Sequence, residues 1–141
     1  MLTIGLLKNT VQKYAWGSTT AIQGLIGEKK FSNEPVAELW MGAHPDLPSK
    51  ARLNDAPVPL DRLIDDAAEE ILGPSVARRF SNRLPFLLKV LSAAAPLSIQ
   101  VHPASERARL GFARENEAGV PLSAPNRNYK DENGKPELLV A

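Results

Sequence analysis

The sequence predicts a mainly β domain with short helical insertions, arranged as a jelly roll that is incomplete in this chain. Its 12 prolines and 9 glycines are spread along the chain and divide it into many short apolar runs. Such punctuation is typical of strands joined by turns. Helical periodicity is confined to two longer stretches, and the segments that hold the candidate chemistry read as strands. A jelly roll is a common way to close a pair of such sheets.

Four apolar runs are predicted to be strands. The first ends at His44-Pro45, and an Ala-rich turn around Pro96 separates the second from the third. The fourth reaches almost to Ala141, so we favour a truncated chain over a short C-terminal edge strand. The predicted strands span residues 37–43, 84–91, 97–101 and 137–140.

Two stretches are predicted to be helical. Apolar residues in 60–72 recur at i, i+3, i+4 and i+7, which places them on one helix face. Gly73 ends this helix, and Pro74 can open a second, short one through residue 80. Ser105 is the predicted N-cap of a charged helix that runs to about residue 117.

Bulk composition excludes several classes of function. The length of 141 residues, with 43% hydrophobic and 23% charged residues, fits one soluble domain. A net charge of +1 leaves no basic patch for nucleic acid or an anionic membrane. The absence of cysteine restricts any metal site to N and O ligands. Neither a signal peptide nor an apolar run of roughly 20 residues is found, so we expect a cytoplasmic protein.

Polar residues that could bind a metal alternate along one predicted strand. Side chains at i and i+2 share a face with Cα atoms about 6.5 Å apart, so Ser98, Gln100 and His102 point the same way. An amide oxygen and an imidazole can therefore converge on one ion. Lys135 and Glu137 are also two residues apart, so they share a face as well. If the two segments meet, their side chains form a ligand set suited to zinc with an open position.

Other interpretations of these residues remain open on spacing alone. A half-exposed strand with a satisfied histidine also fits residues 97–102, and Glu137 alone also fits a solvated edge carboxylate. Lys89 interrupts an apolar strand, either as a cation that reaches a pocket or, as we favour, as the ion-pair partner of Glu38. Trp16 can line a sugar pocket or plug the end of the core, and the residues alone favour the plug. His44 reads as a structural turn residue.

Seven blocks, in order along nearly the whole chain, closely resemble type I mannose-6-phosphate isomerases. The combination of IQVHP with KPE is the specific part of this resemblance. The blocks are YAWGS (14–18), AELWMGAHP (37–45), LPFLLKVL (84–91), PLSIQVHP (96–103), GFAREN (111–116), NYKD (128–131) and KPE (135–137).

The resemblance implies a cupin-type jelly roll with one zinc ion and reversible interconversion of mannose 6-phosphate and fructose 6-phosphate. It implies that residues 1–141 are the N-terminal portion of the zinc-binding jelly-roll catalytic domain. The substrate would be a small phosphosugar, with neither nucleic acid nor membrane as a partner.

The resemblance also assigns roles to single residues. Three of the four zinc ligands would be Gln100, His102 and Glu137. Lys135 would be the active-site lysine beside the metal, and Ser98 would contact the substrate phosphate. The resemblance further implies that a pocket wall is formed by Trp16, and that two residues near the site are Glu38 and Lys89.

The family pattern also places a fourth ligand, a histidine, and an active-site arginine far downstream. In addition, it reads Asn-His-Lys-Pro-Glu where this chain has Gly134 in place of the histidine. We therefore expect the 141-residue chain alone to be inactive and to bind zinc weakly. The alternatives are a non-catalytic cupin-like module that binds a sugar or metal, and an inactive fragment that self-associates through strand edges.

Overall fold

The computed structural model describes residues 4–52 and 56–141. It divides the chain into two compact units. The first unit ends at Leu97, and the second is Ser98–Ala141. None of the helices in the described residues combines the length and the apolar character that a membrane-spanning segment needs.

The first unit holds six strands and three helices among its described residues. They are β1 (Leu6–Lys8), β2 (Thr10–Gln12), α1 (Ala21–Leu25), β3 (Glu38–Met41), β4 (Lys50–Arg52), β5 (Pro57–Pro59), α2 (Leu60–Leu72), α3 (Pro74–Arg79) and β6 (Leu88–Leu91). The described helix of the second unit is α4 (Ser105–Glu117).

The strands form two antiparallel three-stranded sheets, ordered β1-β4-β5 and β2-β3-β6. In the second sheet β3 is central, and its Leu39 pairs with Val11 on one side and Val90 on the other. Ile22 of α1 and Val36 pack with Leu39 to form the buried cluster of this unit. This buried cluster therefore packs against the β2-β3-β6 sheet, whose central strand β3 supplies Leu39.

The predicted helices are confirmed, and two of the predicted strands are confirmed in shorter form as β3 and β6. The helix over 60–72 has the predicted bounds, and Gly73 ends it with a φ of 80°. The prediction of Ser105 as an N-cap is wrong. Ala104 caps α4 in an extended conformation, and Ser105 is the first helical residue, with no side-chain capping bond.

The predicted strands at 97–101 and 137–140 are wrong for the described structure. A strand needs a hydrogen-bonded neighbour, and neither segment has a ladder partner among the described residues. Their apolar side chains face solvent, with Ile99 98% and Leu138 92% exposed. The observed fold is a mixture of small sheets and short helices, and no closed jelly roll is formed by the described residues.

Gly17 allows two chain segments of the first unit to touch. A Cβ at Gly17 would lie 2.5 Å from the main-chain nitrogen of Ala37. Gly17 also forms an isolated antiparallel bridge with Ala93. The Gly-Ser corner after Trp16 is therefore a site of close main-chain packing.

We expect Gly17→Ala to lower the free energy of unfolding of the first unit by about 1–3 kcal/mol, because overpacking forces the main chain apart. Urea unfolding followed by tryptophan fluorescence measures this, since Trp16 and Trp40 lie in this unit. Gly24→Ala is the matched control. A Cβ at Gly24 in α1 meets only the Phe31 ring at 3.5 Å, and alanine favours a helix. Equal unfolding midpoints for the two variants would contradict the packing argument.

Candidate metal and sugar-phosphate site

His102 and Glu137 lie side by side in the second unit. Nε2 of His102 is 3.3 Å from Oε2 of Glu137. The main-chain N–H of Lys135 donates to the carbonyl of Pro103 at 3.3 Å. The two polar segments therefore meet through one main-chain hydrogen bond rather than through a sheet.

The separation of this pair fits two ligands of one zinc ion. Zinc bonds to nitrogen and oxygen of about 2.0–2.2 Å in a tetrahedron place neighbouring donors about 3.4 Å apart. Both side chains are accessible, with 30% of His102 and 63% of Glu137 exposed. An imidazole nitrogen and a carboxylate oxygen are ordinary zinc donors, so the chemistry of the pair fits the metal as well as its geometry.

A cavity of about 480 Å³ is lined by His102, and Glu137 lines a second cavity together with His102 and Lys135. The volume of the first cavity is within the range of small-molecule sites. The lining of this first cavity includes Gln100, His102, Tyr129, Asp131 and Lys135. Ser98 is exposed two residues before Gln100.

Within residues 4–52 and 56–141, no group of three or more His, Cys, Asp or Glu side chains lies close enough to hold a metal. A zinc site here would therefore need a donor of another kind beside His102 and Glu137. The amide oxygen of Gln100 is such a donor, and Gln100 shares the cavity lining with His102.

Lys135 forms an ion pair with Asp131, a residue without a predicted role. Lys135 Nζ lies 3.2 Å from Oδ2 of Asp131, and Oδ1 of Asp131 accepts the main-chain N–H of Asn133 at 2.8 Å. Burial by itself would raise the pKa of Asp131, but the Asn133 N–H and the Lys135 ammonium outweigh it, so the pKa lies below its ordinary value. The i, i+4 spacing of opposite charges was the signal that could have identified this pair.

A buried ion pair fixes the loop that contains Asp131 to α4. Arg127 has a fully buried guanidinium side chain, with Nε 3.0 Å from Oε2 of Glu115 on α4. Its other nitrogens donate to the Val120 carbonyl at 2.7 Å and to Oδ1 of Asn116 at 2.8 Å. Glu115 in turn accepts the main-chain N–H of Tyr129 at 2.8 Å. The sequence offered no signal for Arg127, because arginine is usually exposed.

The main-chain N–H of Tyr129 holds the pKa of Glu115 below its ordinary value against the effect of burial, with further help from Asn128 and Arg127. The folded state therefore binds fewer protons than the unfolded state. The stabilisation by Glu115 and Asp131 is complete above the ordinary carboxyl pKa values, about 3.9–4.3. It is lost as pH falls through the lowered pKa values of the folded state.

We accordingly expect the loop at 127–131 to detach from α4 in acid, below about pH 4. Hydrogen exchange of the Tyr129 amide, measured as pH is lowered and corrected for intrinsic exchange, should show a loss of protection. Glu115→Gln removes the titrating group and should flatten this pH dependence. Protection of Tyr129 that stays constant into strong acid in the native sequence would contradict the assignment.

Lys89 and Glu38 form the predicted ion pair in the first unit, with Nζ 3.6 Å from Oε2. Trp40 completes this cluster and was missed. Its indole N–H donates to the same Glu38 oxygen, and its ring centroid lies 4.8 Å from Lys89 Nζ. Trp40 stands two residues after Glu38 on β3, so strand alternation alone could have placed it on the Glu38 face.

Trp16 is half-buried in the first unit and stacks on Tyr14, with ring centroids 5.7 Å apart. Burial first, and the nearby Glu38 carboxylate second, raise the pKa of Tyr14. His44 has the expected turn role, because its Nδ1 accepts the main-chain N–H of Asp46 at 3.2 Å. Trp16, Glu38 and Lys89 thus belong to the first unit, whereas Ser98, Gln100, His102, Lys135 and Glu137 belong to the second.

Residues 4–141 match the sequence profile of the family described as "Phosphomannose isomerase type I, catalytic domain". Mannose-6-phosphate isomerase of Escherichia coli K12 is 53% identical over 138 residues, which cover 96% of this chain and 34% of that protein. The Salmonella typhimurium LT2 enzyme is 52% identical over 136 residues, with the same two shares.

A crystal structure of the Salmonella typhimurium mannose 6-phosphate isomerase, bound to its substrate fructose 6-phosphate and to zinc, is similar to this structure with a TM-score of 0.84. The identity is 50%, and the match covers 95% of this chain and 34% of that one. The chain thus spans about a third, 34%, of the length of the relatives it matches.

Proposed function

Because this chain belongs to the family of type I phosphomannose isomerase catalytic domains, we propose that residues 1–141 are the N-terminal portion of a zinc-dependent isomerase. The enzyme interconverts mannose 6-phosphate and fructose 6-phosphate, and its complete catalytic domain is a cupin-type jelly roll. The zinc and fructose 6-phosphate bound by the Salmonella typhimurium relative support this assignment.

One observation carries the proposal for this chain: the 3.3 Å approach of His102 Nε2 to Glu137 Oε2 at a cavity that both residues and Lys135 line. Gln100, His102 and Glu137 would hold the metal, with a further ligand from outside these three residues. When bound, zinc supplies Lewis-acid polarisation of the sugar oxygens. Two neutral donors and one carboxylate leave the site with net positive charge, which suits an anionic substrate.

Aldose–ketose isomerisation moves a proton between C1 and C2 of the sugar, and negative charge develops on the neighbouring oxygen. Lys135 meets this charge with its ammonium group, which Asp131 directs along the cavity wall. A fixed cation stabilises the transition state more than the ground state, because the charge is largest there. Ser98 donates a hydrogen bond from its hydroxyl to the substrate phosphate. Roles for Trp16, Glu38 and Lys89 in this reaction stay predictions from the family resemblance.

Metal removal tests the proposal on the full-length protein. We expect dialysis against a chelator to abolish the conversion of mannose 6-phosphate in a coupled assay, and stoichiometric zinc to restore it. Magnesium is the matched control, because it prefers six oxygen ligands and should not replace zinc in a site with an imidazole ligand. Full activity in protein shown to be free of metal would refute the proposal.

A further inference from the structure

The loop between α4 and Glu137 contains an asparagine followed by a glycine, Asn133-Gly134, and this pair occurs once in the 141-residue sequence. Asn133 is exposed and lies outside the helices and strands of the described residues. We propose that Asn133 is a site of spontaneous deamidation, which converts it to aspartate or isoaspartate and disturbs the neighbouring metal site. The effect on the metal rests on the function proposed above, whereas the modification itself does not.

The chemistry needs only water. The main-chain nitrogen of Gly134 attacks Cγ of the Asn133 amide, a C–N bond forms, the attacking nitrogen loses its proton to solvent, and the side-chain nitrogen leaves as ammonia. The product is a five-membered succinimide. Water then adds to one of its two carbonyls and opens the ring to aspartate or isoaspartate. In total, one water is consumed and one ammonia is released, with no change of oxidation state.

The attacking nitrogen of Gly134 is not held by a hydrogen bond to the described residues. Glycine has no side chain to shield its own N–H, and the N–H of Gly134 donates no hydrogen bond to the part of the chain that the structure describes. Attack by this nitrogen therefore breaks no hydrogen bond of Gly134 to the described residues. The side-chain amides of Asn116 and Asn128 are engaged in the network around Arg127 and Glu115. Asn133 thus combines a reactive sequence with an accessible position.

The main chain is anchored on both sides of Asn133. On the N-terminal side, the main-chain N–H of Asn133 donates a hydrogen bond to Oδ1 of Asp131. On the C-terminal side, Gly134 packs so tightly on the start of α4 that a Cβ at Gly134 would lie 2.6 Å from the main-chain nitrogen of Ser105. The Lys135 N–H is bound to the Pro103 carbonyl.

Isoaspartate lengthens the main chain between these anchors by one carbon, about 1.5 Å. Either the loop bulges outward or the contacts of Gly134 and Lys135 are released. Release moves Lys135, and with it Glu137, away from His102. We therefore expect the modified protein to lose the 3.3 Å approach of the two proposed zinc donors.

The modification is tested by ageing the zinc-loaded full-length protein at mildly alkaline pH and following each asparagine-containing peptide by mass spectrometry. We expect the Asn133 peptide to be converted first, with isoaspartate detectable by enzymatic methylation. Asn126, which is exposed and followed by Arg127, is the internal control. If Asn133 is converted no faster than Asn126 in the folded protein but is converted in urea, the fold protects it and the proposal is overturned.

The effect on the metal is measured on the same aged samples by competition with a chelator. We expect the modified fraction to bind zinc about tenfold more weakly than fresh protein, a loss typical of disturbed ligand support. Asn133→Gln blocks the five-membered ring, so this variant should keep its zinc affinity during ageing. If Asn133 were converted while zinc affinity stayed unchanged, the proposed effect of the modification on the metal site would be overturned. If fresh protein bound no zinc, the proposed function would be overturned instead. The mass spectrometry would still show whether Asn133 is deamidated faster than Asn126.

Discussion

Replacement of Glu137 by glutamine in the full-length protein is expected to lower zinc affinity by about 100-fold or more, and to reduce isomerase turnover in proportion to the zinc lost. Glutamine keeps the size of the side chain and an oxygen atom at its end. The substitution therefore removes the negative charge and little else. Because Gln100 and His102 are both neutral donors, Glu137 supplies the only negative charge among the three proposed ligands.

The measurement is a zinc titration against a competing chelator, paired with a coupled isomerase assay at limiting and at saturating zinc. Glu132→Gln is the matched control, since Glu132 is an exposed carboxylate in the same loop. It should leave both readouts unchanged. Partial recovery of Glu137→Gln at saturating zinc would agree with a weakened metal site. Wild-type zinc affinity in Glu137→Gln would remove Glu137 from the ligand set.

The three predicted helices, α2, α3 and α4, were predictable because their hydrogen bonds close within a short window of sequence, whereas the short helix α1 was not predicted. Residues 60–72 show the apolar period of one helix face, and Gly73 and Pro74 mark its end and the start of the next helix. Each of these features acts locally. The position of the α4 cap was the exception, because Ala104 remains extended and displaces Ser105 into the helix.

The segments 97–101 and 137–140 were predicted as strands, since their alternation is that of half-buried strands. Alternation shows which side chains share a face, but it does not supply the neighbouring strand that pairs the main chain. In the described structure these segments lie outside the helices and strands and are exposed. His102 and Glu137 still lie side by side without a sheet, because the hydrogen bond from the Lys135 N–H to the Pro103 carbonyl joins the two segments at one point.

Non-local contacts account for what the sequence analysis missed in the site. Arg127 is buried because α4 and the loop around residue 120 present a carboxylate, an amide oxygen and a carbonyl to one guanidinium. No spacing rule connects residues 115, 120 and 127 in advance. Asp131 differs, because its i, i+4 spacing to Lys135 was visible in the sequence. Its lowered pKa, however, depends on a main-chain N–H that only the folded loop provides.

Lys135→Met in the full-length protein is expected to lower kcat by about 100- to 1,000-fold, the range seen when one donor that stabilises transition-state charge is removed. Zinc content should stay near one per site, because Lys135 is not a ligand and its main-chain bond to Pro103 does not depend on the side chain. This split between turnover and metal content separates a catalytic cation from a residue that only supports the fold. Methionine keeps most of the apolar stem and removes the charge.

Two further variants decide where the charge acts. Arg109→Met removes an exposed cation of α4, away from the cavity lining, and should leave kcat unchanged. Asp131→Asn keeps the Lys135 charge but weakens its anchor, so kcat should fall less than in Lys135→Met. A Lys135→Met enzyme with wild-type turnover would exclude the proposed role. Loss of zinc in parallel with turnover would instead make Lys135 a support of the metal site, since a cation that acts on the substrate alone leaves metal binding intact.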